Sequence, residues 1–120
     1  MHRAYPGAPV PIYRLMFTQH IAFGFPPADW ALVAYLRLLV LEQPGALWMV
    51  AGLGVELGEL MDVAVDRGGH MRLGLEDAPM GCTLDNLSLV RQARERIERT
   101  GRELAGAAQV RVRLQRATAD

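Results

Sequence analysis

The sequence predicts an α/β domain built on a parallel sheet, and two observations carry that prediction. Strand-like and helix-like segments alternate three times along the 120 residues. Each connection between strands contains a helix, which is what parallel neighbours joined by right-handed crossovers require. Residues 12–19 (IYRLMFTQ) read as the first strand, bounded by Pro11 and by the Gly24, Pro26, Pro27 cluster. Residues 29–42 read as a helix stopped by Pro44 and Gly45. Residues 47–53 (LWMVAGL) form a short apolar run, as expected of a strand covered on both faces. Residues 56–67 have helical spacing, with Leu57, Leu60, Met61 and Val65 apolar, and end at Gly68-Gly69. Residues 71–76 read as the third strand. Asp85 or Asn86 caps a closing helix over residues 85–100, with Gly101 as its stop. Its apolar stripe is Val90, Ala93 and Ile97, opposite Arg91, Arg94, Glu95, Glu98 and Arg99. Residues from 106 onward have no assigned element.

Composition bounds the function. Apolar residues make up 51% and charged residues 22%, which fits one small folded domain and not a disordered chain. Thirteen basic and thirteen acidic residues cancel, so a nucleic-acid binder held mainly by phosphate contacts is not expected. All thirteen basic residues are Arg, which excludes Schiff-base chemistry and a P-loop lysine. The single Cys82 excludes an intrachain disulfide framework and a multi-cysteine zinc site, and fits a reducing, cytoplasmic setting. Residues 1–11 carry Arg3 with no apolar core behind it and do not read as a secretory leader. The most apolar run, residues 30–41, is 12 residues long and contains Arg37, whereas a membrane span needs roughly 20. No membrane partner is expected.

The helix over residues 29–42 has almost no polar face: Trp30, Leu32, Val33, Tyr35, Leu36, Leu38, Leu39, Val40 and Leu41 point all round it. Such a helix is normally buried on several sides. Three βα units have little to bury it with. The sequence therefore points to further material, either a partner chain or the rest of a larger fold.

The third strand holds the most chemistry. Side chains alternate faces along a strand, so Met71, Leu73 and Leu75 share one face and His70, Arg72, Gly74 and Glu76 the other. Arg and Glu are costly to bury unpaired. On a straight strand Arg72 and Glu76 lie roughly 13 Å apart, at about 3.3 Å per residue, and each needs a partner elsewhere. A polar strand face ending in the carboxylates of Glu76 and Asp77 is what a barrel lumen opening onto a catalytic rim shows. The plainer alternative is an exposed sheet face, with Asp77 merely starting the turn that contains Pro79 and Gly81.

Gly52 and Gly54 form a second candidate. Gly-x-Gly follows a strand and precedes a helix, so free N–H groups there are placed to cradle a phosphate or carboxylate. Acidic residues some 22 positions later give a superficial dinucleotide pattern, but the third Gly is displaced to Gly58. A tight turn with close packing explains the same glycines. His2, His20 and His70 form no H-x-H pair. His70 opens its strand and reads as structural; His20 follows the first strand and is open to either role. Trp30 and Trp48 read as core, and Cys82 as a buried inert thiol.

The run GGHMRLGLEDAPMG (residues 68–81) resembles the C-terminal signature of the β-keto acid cleavage enzymes, of the 3-keto-5-aminohexanoate cleavage type. ALWMVAGLG resembles that family's seventh strand, and HIAFGFPPADWALVAYLRLL the sixth strand, loop and helix of one subgroup. DNLSLVRQARERIERTGRE fits its closing helix, with Asp85-Asn86 where a Ser-Asn pair is common, and RELAGAAQVRVRL echoes its tail. The resemblance spans about residues 9–114. It implies the last three βα units of a (β/α)8 barrel, an architecture that needs about 250 residues to close. It also implies condensation of a β-keto acid with acetyl-CoA, giving acetoacetate and a new CoA thioester, at a divalent metal, usually zinc. Glu76 matches the family's glutamate ligand, and Arg72 and Asp77 its catalytic arginine and aspartate; the Gly-x-Gly loop read above, Gly52 and Gly54, is expected to bind substrate or CoA. The family's H-x-H ligands are absent from these residues, and Ala78 stands where many members have Asn. The account requires Glu76 to point with Arg72 into the hollow of a strand ring. Placement of that acid in bulk solvent or beside the outer helices contradicts it. Two other expectations remain: a non-catalytic interaction module docking through residues 29–42, and a dinucleotide-binding α/β unit around Gly52 and Gly54.

Overall fold

The computed structural model describes residues 11–116. His2 and the reading of residues 1–10 lie outside the described residues. The elements are β1 (Ile12–Phe17), α1 (Asp29–Glu42), β2 (Leu47–Gly52), α2 (Leu60–Asp66), β3 (His70–Met71), α3 (Asn86–Arg99) and α4 (Ala107–Arg116). The three strands form one parallel sheet in the order β1-β2-β3. Ile12 to Phe17 pair in register with Leu47 to Gly52, and Met49 and Val50 pair with His70 and Met71. The fold is a small α/β unit, as the alternating pattern predicts.

Strand alternation decides which side of the sheet carries the core. Leu15, Phe17 and Val50 point toward α1 and α2 and bury with Ala31, Leu32, Leu57, Leu60 and Ala64. Tyr35, Trp48 and Met71 pack at the edge of this cluster. Tyr35 donates its hydroxyl proton to the Met16 carbonyl at 2.9 Å and meets the Phe17 ring edge-on at 5.4 Å. The opposite parity is Ile12, Arg14, Met16, Met49, His70 and Arg72, on the sheet face turned from that core. Parallel strands are normally covered on both faces. Here α4 lies near only the N-terminal half of this second face, where it bounds a cleft of about 380 Å³ with Ile12, Leu47, Met49 and His70.

Several expectations change. The strand over residues 12–19 ends at Phe17, where the chain turns and the Thr18 N–H bonds the Phe25 carbonyl. β2 ends at Gly52, one residue before the expected limit, because the backbone folds back on itself: a Cβ on Gly52 would sit 2.5 Å from the Val55 carbonyl oxygen. The helix expected over residues 56–67 is confined to Leu60–Asp66, since Gly58 takes a left-handed φ of 52° that interrupts any helix begun earlier. The strand expected over residues 71–76 is only His70–Met71. One more sheet bond follows, from the Arg72 N–H to the Val50 carbonyl, and then tight turns bring the Asp77 N–H to the Gly74 carbonyl. Leu75 is thereby removed from the helix-packed face and is 48% exposed. The closing helix spans Asn86–Arg99, and it is Asp85 that caps it, accepting from the Ser88 N–H at 2.7 Å. Residues 107–116 form the additional helix α4.

Trp30 is not core. It is 59% exposed and leans edge-on against Phe25, while Leu38, Val40 and Leu41 also face outward. Only Ala31 and Leu32 of α1 are fully buried, so three strands do cover too little of this helix. Among the described residues, no helix is long and apolar enough to cross a membrane.

Candidate functional site

Parallel strands direct their following loops to one edge of the sheet, and the charged residues of the third unit collect there. Arg72 leaves the end of β3 and its guanidinium grips two carboxylates at once. Nη1 donates to Asp77 Oδ1 at 3.1 Å, and Nη2 donates to Glu76 Oε1 at 2.5 Å. This corrects the straight-strand expectation that Arg72 and Glu76 stand too far apart to bond. The strand stops after Met71, and the turn at Gly74–Asp77 folds the acids back over the guanidinium. Gly74 leaves room for the Glu76 carboxylate, which would have to shift if a Cβ stood there. The Leu75 N–H is held by the Asn86 side-chain oxygen at 3.0 Å, which ties the turn to the start of α3.

The two acids have different environments. The Asp77 side chain is 8% exposed and that of Glu76 is 63% exposed. Asp77 Oδ2 is buried with no hydrogen-bond partner. Burial pushes the Asp77 carboxyl above its usual range; the Arg72 charge opposes that rise, the Glu76 charge adds to it, and Arg14 opposes it more weakly. An acid of this kind is suited to exchanging a proton, because burial makes its ionised form less favourable than that of an exposed aspartate. Glu76 is not enclosed in a hollow as the sequence account requires. Three strands form no ring, and the Glu76 carboxylate lies in solvent on Arg72, the placement that counts against the role expected of it; the geometry of these residues by themselves does not carry that role.

Arg14 escaped the sequence reading. It sits on β1 at the parity of Met49 and His70, and its charge reaches Asp77. The alternation of IYRLMF held the signal, because Arg14 interrupts the face opposite Tyr13, Leu15 and Phe17.

The glycine loop does not present the expected anion cradle. The Gly54 N–H is donated to the Asp77 carbonyl at 3.0 Å, and the Leu53 N–H to the Phe17 carbonyl at 2.9 Å. The nearest helix opens only at Leu60, so its N-terminus is not at the glycines. Gly52 and Gly54 instead press the β2 loop against Asp77. This loop, Arg72 and Asp77 border a cavity of about 140 Å³ that continues between α2 and α3 past Leu84, Leu89 and the half-buried Cys82. That is below the roughly 300 Å³ at which small-molecule pockets begin.

Neither imidazole joins the acids. His20 is exposed in the loop after β1. His70 lies in the cleft beside α4, and burial, followed by the Arg113 charge, lowers its pKa. Among the described residues, no three His, Cys, Asp or Glu side chains converge as a metal site. A zinc ion needs about three protein ligands. The donors present, one exposed carboxylate already bound by a guanidinium and one buried carboxylate oxygen, do not fit a divalent metal.

A search of curated proteins gives no match. The sequence profile of the beta-keto acid cleavage enzymes matches residues 4–115. The chain belongs to this family. The match takes in all three βα units and nearly all of α4, and so includes the stretch that holds Arg72, Glu76 and Asp77.

Proposed function

We propose that these residues are the last three βα units of a (β/α)8 beta-keto acid cleavage enzyme and supply part of its site. The reaction is cleavage of a β-keto acid with acetyl-CoA, giving acetoacetate and a new acyl-CoA. The observation that carries this reading is the Arg72 guanidinium bridging Glu76 and Asp77 at the C-terminal end of the sheet, in a chain of this family. Active sites of such barrels lie at that end.

The roles follow from the environments. Asp77 Oδ2, buried and without a partner, holds or releases a proton. Arg72 holds Asp77 in place and offers positive charge to an oxygen that gains electrons as the carbon–carbon bond breaks. Glu76, exposed and paired with Arg72, would serve a metal such as zinc only where further strands enclosed it and supplied the other ligands. The remaining ligands, and the residues that enclose the substrate and CoA, come from outside these 120 residues. The setting that suits a CoA-dependent enzyme with one free thiol is the cytoplasm.

The purified chain, given acetyl-CoA, a panel of β-keto acids and zinc, is expected to form no acetoacetate. Robust turnover by these residues alone contradicts the proposal. A non-catalytic interaction module is the second reading, favoured by the outward Trp30, Leu38, Val40 and Leu41 of α1. Light scattering that shows a stable monomer, together with no binding of an apolar dye, removes it.

A further inference from the structure

The carboxylate pair already has its cation. We propose that Arg72 occupies the place of a metal between Glu76 and Asp77, so that the described residues bind no divalent ion there. One guanidinium uses separate nitrogens for the two acids, at 2.5 and 3.1 Å. Both contacts are charge-assisted, and the planar fork suits two acceptors as a point charge does not. Arg14 adds a second positive charge acting on Asp77. An incoming divalent ion would have to break the Arg72–Glu76 bond, remain beside a displaced guanidinium, and do so with two carboxylates as its only side-chain ligands among the described residues. Zinc needs more ligands than that, and magnesium-like ions bound by few carboxylates rely on substrate oxygens.

The exposure of the two acids sets the order of release. Glu76 is the exposed partner, and Asp77 the buried one. Glu76 is therefore the acid more easily parted from Arg72, and Asp77 the one that Arg72 holds. The inference rests on Glu76 being the metal-facing acid of the proposed site. Its test reads metal binding only, so its failure is distinct from a failure to find cleavage activity.

The test is titration of the purified chain with Mn²⁺, with free Mn²⁺ followed by electron paramagnetic resonance. The wild-type chain is expected to leave Mn²⁺ free up to about millimolar concentration, where sparse oxygen sites begin to bind. Arg72→Gln removes the competing charge and is expected to tighten binding about ten- to thirtyfold, a gain lost in the Arg72→Gln, Glu76→Gln double variant. Circular dichroism checks folding. If Arg72→Gln does not fold, Arg72→Lys, which cannot fork to both acids, should show a smaller gain of the same sign. One Mn²⁺ bound by the wild-type chain and lost in Glu76→Gln overturns the proposal. So does a folded Arg72 variant with no gain.

Discussion

Replacing Arg72 by Gln separates the two ion pairs by their burial. The contact with Glu76 involves a carboxylate that is 63% exposed. Solvent-exposed pairs contribute only about 0.2–1 kcal/mol. The contact with Asp77 involves a carboxylate that is 8% exposed, on an Arg72 side chain that is 32% exposed. Removing one partner of a fully buried pair costs about 3–5 kcal/mol, and the partial exposure of Arg72 brings the expected loss to about 2 kcal/mol. Urea denaturation at neutral pH measures it. Arg72→Gln should lose several times as much stability as Glu76→Gln, and Asp77→Asn in the Arg72→Gln background should restore most of the loss. The pH dependence gives a second reading. Burial already raises the folded pKa of Asp77 above its ordinary value, and loss of Arg72 raises it further. A raised pKa stabilises the fold in acid and ceases to do so as pH rises through the folded value. The Arg72→Gln deficit should therefore be full near neutrality and shrink as pH falls through the folded pKa of Asp77. Equal losses for Arg72→Gln and Glu76→Gln, or a deficit constant across that range, would refute the reasoning.

Three further outcomes follow from packing and capping. Gly52→Ala forces a Cβ to within 2.5 Å of the Val55 carbonyl oxygen, a backbone atom that cannot swing aside; a loss of about 1–3 kcal/mol in urea denaturation is expected. Trp30→Ala removes a ring that is 59% exposed, so stability should change by less than about 1 kcal/mol while apolar-dye binding falls. Asp85→Ala removes the acceptor for the Ser88 N–H, and the melting temperature should fall. The Ser88 hydrogen bonds hold the Asp85 pKa below its ordinary value, so the wild-type advantage should be present above the unfolded carboxylate pKa and fade as pH drops through the folded one.

What the sequence made legible was what local signals determine. Asp29 at the start, and Pro44 with Gly45 at the end, mark α1, which spans Asp29–Glu42. The apolar run at Leu47 marks β2, and Asp85 three residues before Ser88 marks the start of α3. Elements whose limits depend on other parts of the chain were harder to read. Alternation alone extends β3 to residue 76, but the strand ends at Met71 and the turn at Gly74–Asp77 folds Glu76 back onto Arg72. Helical spacing places the start of α2 at residue 56, but Gly58 in a left-handed conformation delays it to Leu60. In α4, Val110, Val112 and Leu114 alternate with arginines like a strand, while Ala107, Val110 and Leu114 repeat like a helix, so two periods conflict. At the site, Arg72, Glu76 and Asp77 stood out because charges on a parallel strand need a reason. Their mutual bonds did not, because a side-chain fork across a turn leaves no trace in spacing.

The central claim is that Glu76, Arg72 and Asp77 are one wall of a beta-keto acid cleavage site whose other walls lie outside these residues. The most direct measurement adds back the earlier βα units, taken with their H-x-H pair from a full-length family member, to this chain and to its Glu76→Gln form. Acetoacetate production from acetyl-CoA and a β-keto acid is then followed with zinc present. The account predicts turnover in the mixture that neither part shows alone and that Glu76→Gln abolishes. Turnover that survives Glu76→Gln would contradict it.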